Sequence, residues 1–284
     1  MKQAYGIIET LAPLHVGATA GEESGNLNLI FRDQFTQTGI IPGSSIRGRL
    51  RADGRDATGS ESDELKDLFG RPAEKDQDDL QFESQLKFEY ASIVWLPVFC
   101  PGQPIIWVSC PRLLLRYQRI TGKPQGSVPK PYTASRSFIT PEVKNKNKIF
   151  FTFGYVDIKK VDPNLKNWFP KTTFANGDPT TEVPLLVVDD NEISVIHEMA
   201  LYRQSRVALE LNQKVVAGNA FFNVEALPEG TVLIFPLGVK DSEKWGEFSK
   251  KLSHNIYLGG LESVGFGHCQ LDFYDRSQIA PKEN

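Results

Sequence analysis

The sequence predicts an α+β fold in which strands outnumber helices, and three observations lead there. Strand-like runs recur along the whole chain, at Tyr5–Glu9, Ser92–Cys100, Ile105–Ser109, Lys148–Ile158, Val183–Val188, Ala220–Val224, Thr231–Pro236 and Gly267–Phe273. Only a few segments carry the 3.6-residue apolar period of a helix. Those segments are scattered among the strands, without the regular alternation of a doubly wound parallel sheet.

Each helix has a local reason. Ser44 or Ser45 can cap a helix through Ile46 and Leu50, which Gly54 is expected to end. Glu61–Phe69 reads as a short helix. Over Asp190–Tyr202, Ile193, Ile196, Met199 and Ala200 share one face, and over Asp241–Leu252, Trp245, Phe248 and Leu252 do the same behind an Asp or Ser cap. Two stretches read as insertions. Residues from about 52 to 86 are acidic, and residues from about 121 to 147 are basic and broken by Pro124, Pro129, Pro131 and Pro141. A loop that long with no structure of its own is functional or disordered, and its composition allows either.

Composition narrows the class. No run of about 18 apolar residues occurs, so no membrane span is expected. The first residues go straight into a strand pattern and lack the apolar stretch and cleavage site of a signal peptide. Cys100, Cys110 and Cys269 have no metal-ligand spacing, which fits a reduced cytoplasm and leaves no metal site to expect. A formal charge of −3 excludes a uniformly basic protein. It does not exclude nucleic acid, which needs only a local stripe of cations. Such a stripe is present: nine Lys and Arg between Arg112 and Lys148 face only Glu142. A pair of solvated loops of opposite sign would give the same pattern.

Two motifs carry chemistry. The first is Leu14-His15-Val16-Gly17, followed by a polar loop and Ile40-Ile41-Pro42-Gly43-Ser44-Ser45-Ile46-Arg47-Gly48-Arg49-Leu50-Arg51. Pro-Gly-Ser-Ser turns a chain into a helix start, whose free N–H groups and positive dipole end suit a phosphate. Arg47, Arg49 and Arg51 add charge. Taken alone, the same residues also describe an ordinary capped helix. The second motif, Leu258 to His268, holds Gly259, Gly260, Gly265 and Gly267, which allow positive φ or a close approach of another backbone. It has neither a Walker ending nor the spacing of a dinucleotide fingerprint. A plain Gly-rich turn is its other reading.

Together, at opposite ends of one chain, these motifs resemble the RAMP superfamily of CRISPR-associated proteins. Its members begin with a strand leading into His-x-Gly, continue with Pro-Gly-Ser-Ser-hydrophobic-Lys/Arg-Gly, and carry a C-terminal Gly-rich loop. Phe88–Ala91, Leu96–Phe99, Ile106–Leu113, Leu186–Asp190, Ser205–Val207 and Ala220–Thr231 extend the similarity over most of the chain outside the two insertions. The group it most resembles is the backbone subunit of type III-B complexes or their III-D relatives.

The resemblance implies a modified ferredoxin-like, RRM-type fold, here one domain over residues 1–284, with a thumb hairpin that kinks a guide RNA. The implied partners are the crRNA guide, target RNA, other RAMP subunits and the large subunit of a type III complex. Base pairing then supplies sequence specificity while the protein grips RNA shape and backbone. The RNA-binding candidates are His15, Gly17, Ser44, Ser45, Arg47, Arg51, Gly259, Gly260, Gly265, Gly267 and, in the basic stretch, Arg136. The Thr121–Asn147 segment is the candidate thumb or a neighbouring RNA contact.

In the family, target RNA is cut by a metal-assisted step that depends on an Asp in the loop after His-x-Gly. The matching run here is Gly25-Asn26-Leu27-Asn28-Leu29, which puts Asn28 at that position. An amide lacks the negative oxygen that Mg²⁺ or Mn²⁺ prefers. Asp33, His15 and Glu225 are weaker catalytic candidates. A surface hydrogen bond for His15 and an ordinary hairpin acid for Glu225 are their bland alternatives. His268 beside Cys269 reads as structural. The sequence therefore leads to a guide-RNA-binding scaffold subunit with no cofactor of its own. An endoribonuclease using a divalent ion and a free-standing RRM-like RNA-binding protein are its rivals.

Overall fold

The computed structural model describes residues 1–17, 27–58, 62–70, 83–136, 142–143, 146–171, 183–209, 216–252 and 254–276. The chain opens on β1 (Lys2–Thr10), and the short β2 (Leu27–Asn28) and β3 (Ile40–Ile41) lead into α1 (Gly43–Thr58) and α2 (Asp63–Phe69). β4 (Leu86–Phe88), β5 (Ala91–Cys100) and β6 (Gln103–Ser109) precede α3 (Pro111–Thr121). Next come β7 (Thr133–Ala134), β8 (Glu142–Val143), β9 (Lys146–Phe151), β10 (Gly154–Asp157) and β11 (Lys160–Val161). β12 (Leu185–Val187), α4 (Ile193–Ala200), β13 (Tyr202–Leu209) and β14 (Val216–Ala226) follow. β15 (Val232–Val239), α5 (Ser242–Ser249), β16 (Asn255–Tyr257) and β17 (His268–Asp275) complete the order, which is α+β.

The large sheet runs β11-β7-β12-β6-β5-β15-β1-β17-β16. Its centre, β5-β15-β1-β17, is antiparallel throughout. In sequence those four strands and two helices follow as β1, α1, β5, then β15, α5, β17. Tyr5 and Ile7 of β1 enter one core with Trp95, Leu114, Tyr117 and Ile234, while Ile8 enters the other with Ile46, Leu50, Phe235 and Phe248. With α3 on one face and α1, α2 and α5 on the other, the central strands are buried on both sides. That is why Ser92–Cys100 reads as a continuous apolar run rather than an alternating one.

Several expectations change. Gly54 does not end α1, which continues to Thr58. Its glycine serves packing instead: a Cβ there would sit 2.6 Å from Leu65 and 3.1 Å from Phe248, where α2 and α5 press against α1. The run Lys148–Ile158 is not one strand but a hairpin, with Phe151 paired to Gly154 across a turn at Thr152 and Phe153. The predicted Asp190–Tyr202 helix is shorter, Ile193–Ala200. α3 was not anticipated, although Pro111 at its first turn, Gly122 at its end (φ 74°) and buried Leu113, Leu114, Tyr117 and Ile120 are its signals.

The first half of the basic stretch does have structure. β7 pairs with β12, Tyr132 N–H donates to Val187 O (2.6 Å) and Ser135 N–H to Leu185 O (2.9 Å), with Thr133, Ala134 and Ser135 buried. Small and hydroxyl side chains fit this crowded sheet edge, which composition alone marked as loop. Residues 71–82 and 137–141 lie outside the described residues, as does the Gly25-Asn26 step. No helix among the described residues is long and apolar enough to cross a membrane.

Candidate nucleic-acid interface

The two sequence motifs meet. Gly260 N–H donates to His15 O (3.0 Å) and Gly267 N–H to Pro13 O (2.9 Å), which lays the Gly-rich loop along the segment after β1. Gly259 has φ 77°, and a Cβ there would overlap the His15 carbonyl oxygen; Gly267, at φ 86°, would overlap Leu258 O. Gly260 and Gly265 instead face open space, where a ligand backbone can come close. Gly17 lies against the His15 ring. Leu261 and Phe266 fasten the loop to Val224 and Ala226 of β14. α1 joins the same neighbourhood through Arg49, which contacts Asp53 (2.8 Å) and Glu262 of the loop (3.4 Å).

β14 organises the rest. His15 Nδ1 donates to Glu225 O at 2.7 Å; a carbonyl can only accept, so the neutral ring carries its proton on Nδ1 and leaves Nε2 as an acceptor. Leu14 bridges Leu227, and β2 lies parallel to β14 with Asn28 opposite Val224. His15 and the half-buried Asn28 therefore line the same stretch of β14.

The carboxylates nearby are committed elsewhere. Glu225, 3% exposed, accepts from Arg32 (2.9 Å) and Arg203 (3.3 Å), and the same two arginines also bind Glu198. Asp33 Oδ1 accepts from Phe35 N–H (3.0 Å), Thr36 N–H (2.8 Å) and the Thr36 hydroxyl (2.9 Å). Burial alone would raise the Asp33 pKa, but these donors and the charge of Arg116 lower it on balance. Among the described residues the donor set is thus an amide, one imidazole nitrogen and carboxylates already occupied, which does not suit a hard divalent cation. Among the described residues no three His, Cys, Asp or Glu come together to hold a metal ion. The three thiols are buried, and burial pushes Cys110 and Cys269 up to about 12, far from a nucleophile's range.

α1 starts at Gly43, so Ser44 and Ser45 stand inside its first turn rather than capping it, and Pro42 O accepts from Ser45 N–H (3.0 Å) and Ile46 N–H (3.3 Å), which are therefore not free for a phosphate. Ser44 is exposed and Ser45 half-buried. Gly43 is required because a Cβ would lie 2.5 Å from Phe88 O. Arg47 is turned inward and donates to Phe69 O at the end of α2. Arg51 is half-buried and engaged within the chain. Arg136 is exposed, and β7, which it follows, lies at the other end of the sheet from β16 and β17, the strands that flank the Gly-rich loop. Arg32, Glu198 and Arg203 went unnoticed in the sequence because they come together only through long-range pairing.

Beneath this ionic group, His197 of α4 is fully buried. Its Nε2 accepts from Gly39 N–H (2.9 Å), so its proton is on Nδ1, which has no hydrogen-bond partner among the described residues. Burial first, then the charge of Arg32, lowers its pKa from 6.5 to about 4. Between those values the unfolded chain binds the proton and the folded chain does not, so this stabilisation is complete above pH 6.5 and lost towards pH 4. The difference is worth roughly 3 kcal/mol. Urea titrations from pH 7 to pH 4 are expected to show stability falling by about that amount, and His197→Gln to flatten the curve in this window. An unchanged slope in the variant would assign the acid sensitivity to other groups.

The model of the RAMP superfamily matches residues 7–270. No curated protein sequence matches the chain. Similar solved structures include a chain of the type III-B Cmr-beta complex bound to cognate target RNA, with TM-score 0.72, 17% identity and 99% of each chain covered. A chain of the same complex in its apo state gives 0.70 at 17% identity, covering 96% of this chain and 97% of that one. Oligomeric Cmr4 from Pyrococcus furiosus gives 0.70 at 19% identity, covering 97% and 98%. Arrived at from its paired motifs, its topology and these matches, the chain belongs to the RAMP superfamily.

Proposed function

We propose that this protein is a guide-RNA-binding backbone subunit of a type III CRISPR ribonucleoprotein that targets RNA. The observation that carries the reading is the meeting of the His15–Gly17 segment with the Gly-rich loop, which leaves Gly260 and Gly265 open to a ligand backbone beside β14. Such a site offers close approach of a ligand backbone rather than base-reading side chains, as a subunit needs when base pairing supplies specificity. One of the similar structures is a complex bound to cognate target RNA, which adds support. The partners are then a crRNA guide, target RNA, other RAMP subunits and a large subunit. The location is the cytoplasm, in keeping with three free thiols.

The β1-α1-β5-β15-α5-β17 succession supports one ferredoxin-like core over the whole chain, with the segments between β5 and β15 inserted into it. For the thumb, the β13–β14 hairpin has the stronger claim, its strands being 8 and 11 residues long. The Thr121–Asn147 stretch is secured to the sheet over its first half.

The test is to purify the tagged chain from its host and identify the RNA and subunits that accompany it. Guide RNA of mixed spacer sequence is expected. Affinity for purified guides is expected to fall with salt at a slope near −0.7 per phosphate contacted, equally for unrelated spacers. Absence of RNA, or affinity set by spacer sequence, would overturn the reading.

A further inference from the structure

A second surface combines an exposed aromatic ring with arginines of α3. The loop joined at its base by the Arg32–Gly39 bridge is held by the Asp33 turn and by Asp33 N–H donating to Thr38 O (2.8 Å). At its tip stands Phe35, 74% exposed, the most exposed large apolar side chain among the described residues. A single exposed ring is unremarkable by itself. This one, however, has the Arg112 guanidinium over the ring, 5.6 Å from its centroid, while most of its surface remains open.

Arg112 begins a row. Arg112, Arg116 and Arg119 fall at i, i+4 and i+7 of α3, away from the buried Leu113, Leu114, Tyr117 and Ile120, with Arg112 and Arg119 exposed and the Arg116 side chain 14% exposed. The row spans about 10 Å along the helix axis. Arg116 is fixed in place, 4.2 Å from the Tyr90 ring centroid and bonded to the Ser92 hydroxyl (2.9 Å). At the far end Arg116 and Arg119 enter a cleft of about 430 Å³ that Lys87 and Arg276 also line. The acids facing this row are few. Glu89 is 3.9 Å from Arg116, Glu83 pairs with Lys87 of the cleft, Asp190 takes the backbone N–H of Arg112, and Asp33 is committed to its turn.

We infer that this face is a track for single-stranded RNA, with Phe35 stacking a base and the exposed Arg112 and Arg119 holding the backbone. The inference rests on the reading of the chain as an RNA-binding subunit and adds a contact surface on elements other than the His15 and Gly-rich segments. A ring backed by an arginine offers its free face to a flat partner, which a nucleobase supplies and an acidic peptide does not.

The test uses the full chain, a labelled single-stranded oligouridine and an abasic strand of equal length, read by fluorescence anisotropy. Phe35→Ala is expected to weaken oligouridine about tenfold, the scale of one stacked base, and to leave the abasic strand unchanged; Phe35→Trp restores binding. Arg112→Ala with Arg119→Ala should weaken both strands and reduce the salt slope by about 1.4. In the assembled particle, 4-thiouridine placed either in the guide or in the target shows by crosslinking which of the two meets Phe35. If the natural chain binds RNA and these variants bind it equally well, this inference fails and the proposed function stands. If the natural chain binds no RNA, both fail. If the variants lose neighbouring subunits at unchanged RNA affinity, the face is a protein contact and the inference is overturned.

Discussion

Gly259→Ala is expected to destabilise the protein by about 4 kcal/mol and to open the junction between the two ends of the chain. Two costs add. An L side chain at φ 77° loses about 1–2 kcal/mol against an ordinary conformation. The new methyl would also overlap the His15 carbonyl oxygen, a backbone atom that cannot swing aside, and overpacking of that kind costs about 1–3 kcal/mol. Relief requires the loop to lift, which breaks the Gly260 N–H to His15 O bond. Gly260→Ala is the control, because no atom lies within 4 Å of a Cβ there. Urea denaturation of both variants, with RNA affinity measured on the folded fraction, checks the argument. Equal stability of the two would show that the loop is not docked on His15.

The fold class was legible because strand burial leaves a local trace. Tyr5–Glu9, Ser92–Cys100 and Thr231–Pro236 are almost wholly buried on both faces, and all three lie in the antiparallel centre of the sheet. The cap of α5 was equally readable, with Asp241 accepting from Glu243 N–H and Lys244 N–H. What failed depends on distance along the chain. Gly54 looks like a helix stop from its neighbours, and only Leu65 and Phe248 explain why it is a contact point instead. Thr133–Ser135 has no apolar signal, since its place in the sheet is fixed by β12 across about 50 residues.

The site divides the same way. His15 and the four glycines stood out as residue types with special backbone or proton chemistry, and they meet. The arginine and glutamate group around Glu225 did not stand out, because no spacing links Arg32, Glu198, Arg203 and Glu225. Their mutual neutralisation changes the meaning of Glu225. An acid that looked available for catalysis is buried between two guanidinium groups.

Asn28→Asp is expected to have the largest effect on chemistry, creating or strongly enhancing cleavage of a bound target RNA where the natural chain binds without cutting. Asn28 lies opposite Val224 on β14, beside the residue whose carbonyl holds the His15 ring. An amide there gives no negative oxygen for Mg²⁺ or Mn²⁺, and a missing metal-organising group commonly costs orders of magnitude in rate, each tenfold being about 1.4 kcal/mol of barrier. Asp33 cannot readily replace it. It is five residues further on, and its Oδ1 already accepts three hydrogen bonds within its own turn. A carboxylate even about 1 Å out of position can lose roughly a hundredfold. The experiment assembles a complex with this chain as its backbone subunit on a guide RNA, adds complementary target and either cation, and follows fragments over time. Binding without a cut opposite the natural chain, and a new cut with Asn28→Asp, are the expected results. Efficient cutting by the natural chain that Asp33→Ala abolishes would overturn the scaffold reading, because it would require the Asp33 turn to open and its carboxylate to reach the bound strand.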